Sequence, residues 1–352
     1  MRKLALMLAQ CLLLAGCTGL PRPREMGDMA LLRTVGVDTA GTGVHLTVST
    51  GERARGVSGE KAPPLVLEGE GTSLSAAAGE LEGRSDSYVF FGYVDQLLLG
   101  ENIQHPEEVL GWFAHDAQLG LGAKVWLIRD GEAGKAVSSG EESGVEGRLA
   151  ALSRDGELGA GPISRSAGEV AIALWERDCA FLPALKLEEE LTPAGYAVWK
   201  GDALLGYLEG DAARGLELLA EQPAAHIIEV PLPDNRVSLR LTGGQLDCRP
   251  RFDGDRLEKL ELTARCEVQL CQWQREPTAR EMEEIQHRAE EELAHWIRSA
   301  MVRLRAWEAD CVSLGSRVSL AAPGRWERLE SRWPEIFGEI PWTLEGNAAL
   351  SR

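Results

Sequence analysis

TAREMEEIQHRAEEELAHWIRSAMVRLRAWEAD, residues 278–310, is the longest helical pattern in the chain. Met282, Ile285, Ala289, Leu293, Trp296, Ala300, Leu304 and Trp307 recur every three or four residues, which gathers them onto one helix face. Upstream, residues 227–230, 237–241, 245–251 and 257–274 read as antiparallel strands, and Asp253-Gly254 is the strongest turn signal among them. Downstream, Trp326, Trp333 and Phe337 fall in a short helical stretch, and Ile340, Trp342 and Leu344 alternate as a closing strand. Strands that run antiparallel and then yield to one long amphipathic helix predict an α+β domain.

Working toward the amino terminus, residues 211–220 read as a helix with Ala212, Gly215 and Leu219 inward. Residues 196–200 and 203–208 form a hairpin around Gly201-Asp202. Strands are expected at 31–38, 44–49, 65–68, 88–99 and 124–128, with helices starting at Thr72 or Ser73, at Pro106 and near Glu169. That order predicts a mixed α/β or α+β unit. Residues 131–168 are rich in Gly, Ser and Glu and read as a mobile insertion with a short helix near 147–152. The expected organisation is therefore a signal peptide at 1–16, a tether at 17–30, an amino-terminal domain at 31–190, a small hairpin-helix module at 191–222 and a carboxyl-terminal domain at 223–352. The fold class is α+β, multi-domain, with mixed and antiparallel sheets, packed helices and the long helix in the last domain.

The first residues set the expected compartment. Arg2 and Lys3 precede an apolar run over 4–14, and Leu14-Ala15-Gly16-Cys17 follows. A charged start, a short apolar run and small residues before the cut form a secretory signal. The cysteine directly after Leu-Ala-Gly makes it the lipoprotein form, with Cys17 as the lipidation site. The run is too short to span a bilayer, which takes about 20 residues. The formal charge is −18, from 37 basic and 55 acidic residues. Such a body lacks the clustered cations that nucleic acid requires, and it is repelled by anionic lipid. The anchor would thus be acyl chains, at about 0.8 kcal/mol per buried methylene.

Once Cys11 is cleaved off and Cys17 is lipidated, Cys179, Cys248, Cys266, Cys271 and Cys311 remain. An odd number leaves at least one free thiol. A hairpin turning at Asp253-Gly254 would not set Cys248 against Cys266. Mostly reduced, buried structural cysteines are expected. His287, Glu291 and His295 form a stripe opposite the apolar one, the pattern of a solvated face. The chain contains no H-E-x-x-H, P-loop, complete dinucleotide fingerprint or G-x-S-x-G elbow. Neither an enzyme nor a cofactor is expected, and no catalytic or metal residue is assigned.

Several segments, read in order, resemble the Ger(x)C family, the lipoprotein C subunits of spore nutrient-germinant receptors. Arg24-Glu25-Met26-Gly27-Asp28-Met29 and Val35-Gly36-Val37-Asp38 resemble the R-E-I-x-x-L stretch and the strand that follows it. Gly71-Thr72-Ser73 leads into a helix at Ala76, and Phe91-Gly92-Tyr93 to Leu99-Gly100-Glu101 is similar to the family's F-G-H strand that ends I-G-E. His115-Asp116-Ala117-Gln118-Leu119 is a weaker likeness to R-D-x-E-I. Phe181-Leu182-Pro183, the stretch GYAVWKGDALLGYL at 195–208, Asp310-Cys311-Val312-Ser313-Leu314-Gly315 and the run Trp326, Trp333, Phe337 match in turn. Thr18 replaces an aromatic, Tyr93 a histidine and Ser313 a glycine of the family pattern.

The resemblance implies an α+β fold of three compact modules and a non-catalytic subunit. It also implies a lipoprotein on the outer face of the spore inner membrane. There it would work with two polytopic membrane subunits in sensing a nutrient germinant, as scaffold or coupling subunit. The alternative is a lipoprotein solute-binding protein of a transporter, which would want two similar βαβ lobes.

Overall fold

The computed structural model describes residues 29–55, 60–140 and 144–351. The signal segment, Cys17, residues 17–28 of the tether and the Arg24–Asp28 part of the first family motif lie outside the described residues. The amino-terminal half runs β1 (Met29–Leu31), β2 (Thr34–Ala40), β3 (Gly43–Ser49), β4 (Arg53–Arg55), β5 (Glu60–Ala62), β6 (Val66–Gly71), α1 (Leu74–Arg84), β7 (Tyr88–Phe90), β8 (Gln96–Gly100), α2 (Pro106–His115), β9 (Lys124–Arg129), α3 (Ala133–Ser138), α4 (Glu146–Glu157) and α5 (Ala167–Arg177). Then come β10 (Cys179–Leu187), β11 (Leu191–Lys200), β12 (Ala203–Leu208), α6 (Asp211–Leu219), β13 (Ile227–Leu232), β14 (Asn235–Asp253) and β15 (Arg256–Trp273). The chain closes with α7 (Ala279–Ala306), α8 (Leu314–Ala321), α9 (Pro323–Trp326), α10 (Trp333–Glu339) and β16 (Trp342–Ser351).

Eight strands form one sheet in the order β12-β11-β10-β9-β8-β2-β3-β6. Its centre, β10, β9, β8 and β2, is parallel, and both flanks are antiparallel. Strands covered on both faces read as continuous apolar runs, as QLLLG in β8 and KVWLIR in β9 do. Leu97, Leu99, Val125 and Leu127 point to one face, where they meet Ala77 and Leu81 of α1, Phe113 of α2 and Val170 and Leu174 of α5. Leu98, Trp126 and Ile128 point to the other, under α3 and α4.

That second layer corrects the expectation of a mobile insertion at 131–168. Ala133, Ala136 and Val137 of α3, with Leu149 and Leu152 of α4, are buried on the sheet. The helices are short and Gly-rich, so their apolar positions are too few to show a period. The apolar run at 88–99 is likewise two short strands, β7 and β8, broken by a turn at 91–95. The tether's last residues, from Met29, enter β1, which pairs in parallel with β7.

The second sheet has the order β13-β14-β15-β16, antiparallel except for the parallel β15–β16 pair. The two segments expected at 237–241 and 245–251 are one bulged strand, β14, with register shifts near Ser238 and Leu241. Helix α7 packs on this sheet through Ile285, Ala289, Leu293, Trp296, Ile297, Ala300, Met301 and Leu304. Gly215 of α6 lets that helix sit against α7: a Cβ there would lie 1.9 Å from the Trp296 carbonyl oxygen. No helix among the described residues is long and apolar enough to cross a membrane.

The expected small module at 191–222 is not a separate body. Its hairpin, β11–β12, is the edge of the eight-stranded sheet, while α6 packs on α7. Alternate residues of β10 and β11 serve two cores. Ala180, Leu182, Ala197 and Trp199 join the amino-terminal core. Cys179, Phe181, Tyr196 and Val198 join the core that α7 closes.

Helix α7 begins with a reciprocal cap. The Thr278 hydroxyl accepts from the Glu281 amide at 3.3 Å, and the Glu281 carboxylate accepts from the Thr278 amide at 2.9 Å. The Arg275 side chain, and then the Thr278 amide, lower the Glu281 pKa from the ordinary 4.5 to about 2. The folded state therefore binds this proton less readily than the unfolded chain. Its stabilising contribution is complete above about pH 4.5 and is lost as the pH falls toward 2. Thr278→Ala should cost about 1 kcal/mol at neutral pH. Glu281→Gln should flatten the acid limb of a urea-unfolding series over that same pH window.

Candidate functional site

The segments that resemble the family meet in pairs. Asp38, in the strand motif of β2, is 6% exposed. Its two carboxylate oxygens accept the amides of Ala133 and Gly134, each at 2.8 Å, and so pin the start of α3 to the sheet. Burial raises the Asp38 pKa, and the two amide donors oppose that rise. Gly100 makes room for this carboxylate, because a Cβ there would lie 1.9 Å from Asp38 Oδ1. The adjacent Glu101 accepts from the Asp130 amide at 2.9 Å and from the Tyr207 hydroxyl of the hairpin. Burial first, and then the Glu101 carboxylate, push the Tyr207 pKa up. The Arg129 guanidinium covers the Tyr207 ring at 4.4 Å.

A second polar group ties the two lobes. Tyr196 of β11 is 1% exposed and stacks edge-on against Phe181, ring centroids 5.7 Å apart. Its hydroxyl accepts the Ile163 amide at 2.7 Å and donates to Glu217 Oε1 of α6 at 2.8 Å. Burial, and then the Glu217 charge, hold the phenol well above its usual range. Glu217 Oε2 accepts the Ala224 amide at 3.1 Å and lies 2.6 Å from His226 Nε2. The imidazole in turn meets the Trp296 ring edge-on at 5.8 Å. The chain thus runs from β11 through α6 to the middle of α7, and the Tyr196 hydroxyl and both Glu217 carboxylate oxygens in it have partners.

The third group closes the carboxyl-terminal lobe. Asp310 is 5% exposed and accepts the Leu314 amide at 2.9 Å, the Gly315 amide at 2.6 Å and the Trp333 indole at 2.8 Å. Burial raises its pKa against these three donors. Trp326 lies 5.2 Å from Trp333, and Trp333 lies 6.2 Å from Phe337. Gly315 sits beneath both indoles: a Cβ would come within 2.6 Å of Trp333 Nε1 and 2.8 Å of Trp326. Ser313, which replaces a glycine of the family pattern, has φ 64° and ψ 36°, the left-handed conformation that a glycine adopts without strain.

The other candidates do not come together. His287 pairs with Glu291 at 3.5 Å, while His295 turns to Asp211 of α6 at 3.2 Å. No group of three metal-ligating side chains occurs among the described residues. All five described cysteines are free. Cys248 faces Leu262 and Cys266 faces Gly244 across the β14–β15 pair. Cys179, Cys266 and Cys311 are buried, Cys248 is half-buried, and Cys271 is exposed on the outer face of β15, so burial does not extend to all five. Burial pushes the Cys179 and Cys248 thiols up to about 12 and Cys266 up to about 11. They stay protonated and unreactive at neutral pH.

Sequence reasoning missed Glu217 and His226. The signal was faint: a glutamate on the inward side of an otherwise apolar helical stretch, Asp211–Leu219. The arrangement as a whole holds elements in fixed positions. The carboxylates of Asp38, Glu217 and Asp310 are committed to amide, indole, phenol or imidazole partners within the fold.

The turn at Asp310–Gly315 gives opposite expectations for its two small residues. Ser313→Gly should stabilise the protein by roughly 0.5–1 kcal/mol, by relieving left-handed strain. Gly315→Ala should destabilise it by about 1–3 kcal/mol, by pushing the two indoles apart. Urea unfolding of the two variants, with unchanged slope, checks both.

Residues 22–185 match the family described as "Spore germination protein N-terminal domain", and residues 194–352 match "Spore germination B3/ GerAC like, C-terminal". Among solved structures the chain is similar to the crystal structure of the GerBC protein, with a TM-score of 0.61 at 14% identity over 90% of this chain and 97% of that one. At that identity the likeness is one of fold. The chain has no match among curated proteins. The two family domains leave only the turn of the β10–β11 hairpin and its flanks between them, and the chain belongs to the GerAC-like family of spore germinant receptor C subunits.

Proposed function

We propose that this C subunit is a lipid-anchored, non-catalytic scaffold that couples two polytopic membrane subunits in nutrient-triggered germination. The observation that carries this reading is the pair of strands β10 and β11, whose two faces feed the two cores and make the lobes mechanically continuous. A body built this way passes a displacement from one lobe to the other without a hinge. The anchor is Cys17, with the chain on the outer face of the spore inner membrane. Acyl chains suit an acidic body, since charge attraction to the leaflet works against it. The buried carboxylates at Asp38, Glu217 and Asp310 support a structural role, because their oxygens are already engaged. A solute-binding protein would need two similar βαβ lobes, and here the parallel strands at the centre of a sheet belong to the amino-terminal lobe.

The test is nutrient-triggered dipicolinic acid release from spores that lack the chain, or that carry Cys17→Ala, with exogenous calcium dipicolinate as a receptor-independent trigger. The expected result is loss of the nutrient response in the deletion and a strong defect in Cys17→Ala, both with a normal response to the control. A full nutrient response in the deletion strain, over a panel of nutrients, would contradict the proposal.

A further inference from the structure

The polar groups above do not account for one face of α5. Ile172 and Trp175 lie three residues apart on that helix, and each is 50% exposed. This spacing places them side by side on the surface. Trp175 also forms one wall of a crevice of about 380 Å³ between α5 and the carboxyl-terminal helices, with Trp326 and Trp333 opposite. One wall thus belongs to each family domain.

The charge around the crevice is unbalanced. Glu176, Asp178, Glu308 and Glu330 line it against Arg177 and Lys200. Lys200 is already paired with Glu308 at 3.6 Å. Arg177 lies in the field of the buried Asp310. Even with both cations counted, the lining acids Glu176, Asp178, Glu308, Asp310 and Glu330 leave a surplus of negative charge beside three indoles. Indole faces and carboxylates both attract a cation, and together they favour a guanidinium or ammonium over any other group. The exposed Ile172 extends the footprint with an apolar shelf. A half-exposed tryptophan next to a charged rim is the composition of an anchor site at a protein interface.

We infer that this crevice and its shelf dock a basic side chain, flanked by apolar residues, from an extracytoplasmic segment of a polytopic receptor subunit. This rests on the proposal that the chain works beside such subunits. Because the walls come from different domains, a bound segment would clamp the amino-terminal lobe to the closing helices.

The experiment uses the full lipidated chain co-expressed with the two polytopic subunits, recovered in mild detergent. A photocrosslinking p-benzoylphenylalanine replaces Trp175, or Leu158 as a control, which is 74% exposed and lies away from the crevice. A parallel variant carries Glu176→Lys with Glu330→Lys, and an unchanged thermal midpoint verifies that it folds. The expected result is a crosslink from position 175 to a polytopic subunit, none from position 158, and at least a tenfold loss of co-purification in the charge-reversed variant. Co-purification of the wild-type chain with no crosslink at 175, and with full recovery of the reversed variant, overturns this inference and leaves the proposed function standing. A crosslink from 175 to a second copy of this chain also overturns it. If the wild-type chain recovers neither polytopic subunit, the inference and the proposed function both fall.

Discussion

Two adjacent strands, β10 and β11, carry alternating side chains into two different cores, and the rest of the molecule depends on that. Phe181 and Tyr196 face the lobe that α7 closes, whereas Leu182 and Trp199 face the lobe closed by α1, α2 and α5. Burying a side chain of this size contributes about 1.5–3 kcal/mol. Neither lobe can withdraw from the other without exposing one face of the same strands. The family boundary near 185–194 therefore falls inside a shared hairpin, not in a linker.

The buried carboxylates convert this apolar continuity into fixed geometry. Dispersion and hydrophobic burial tolerate sliding, but a carboxylate that accepts two or three donors does not. Glu217 illustrates the cost of disturbing such a group. It is 4% exposed, and its oxygens serve Tyr196 from the amino-terminal sheet and Ala224 and His226 from the start of the next lobe. Removing one partner would leave buried polarity uncompensated, a loss of about 3–5 kcal/mol for a charged group. Asp38 and Asp310 do the same elsewhere, one pinning α3 to the sheet and one seating the tryptophan pair. Glycine is required where the backbone crowds these groups, as at Gly100 under Asp38 and Gly315 under Trp333.

Much of this was legible in the sequence, for identifiable reasons. Helix α7 has a long uninterrupted 3.6-residue period. The β11–β12 hairpin has Gly201-Asp202 between two apolar runs. The family resemblance rested on the residues that later proved to form the polar groups: Asp38, Gly100, Glu101, Tyr207, Asp310, Gly315 and Trp333. What was hidden is what only tertiary contact creates. Helices α3 and α4 have too few apolar residues for a period, and their stability comes from the sheet beneath them. The 191–222 segment reads as a module by turn chemistry alone, because sequence does not say that its strands extend an existing sheet. Glu217 and His226 are unremarkable until α6 is laid on α7.

The most direct test of the shared-strand account is native-state hydrogen exchange of the folded chain across a urea series. Amides of β9, in the amino-terminal lobe, and of β14, in the carboxyl-terminal lobe, are the ones to compare. If β10 and β11 weld the lobes, both sets lose protection in one transition with the same free energy and the same urea dependence. Separate transitions, with β14 exchanging while β9 stays protected or the reverse, would mean that the lobes open independently. That result would contradict the account.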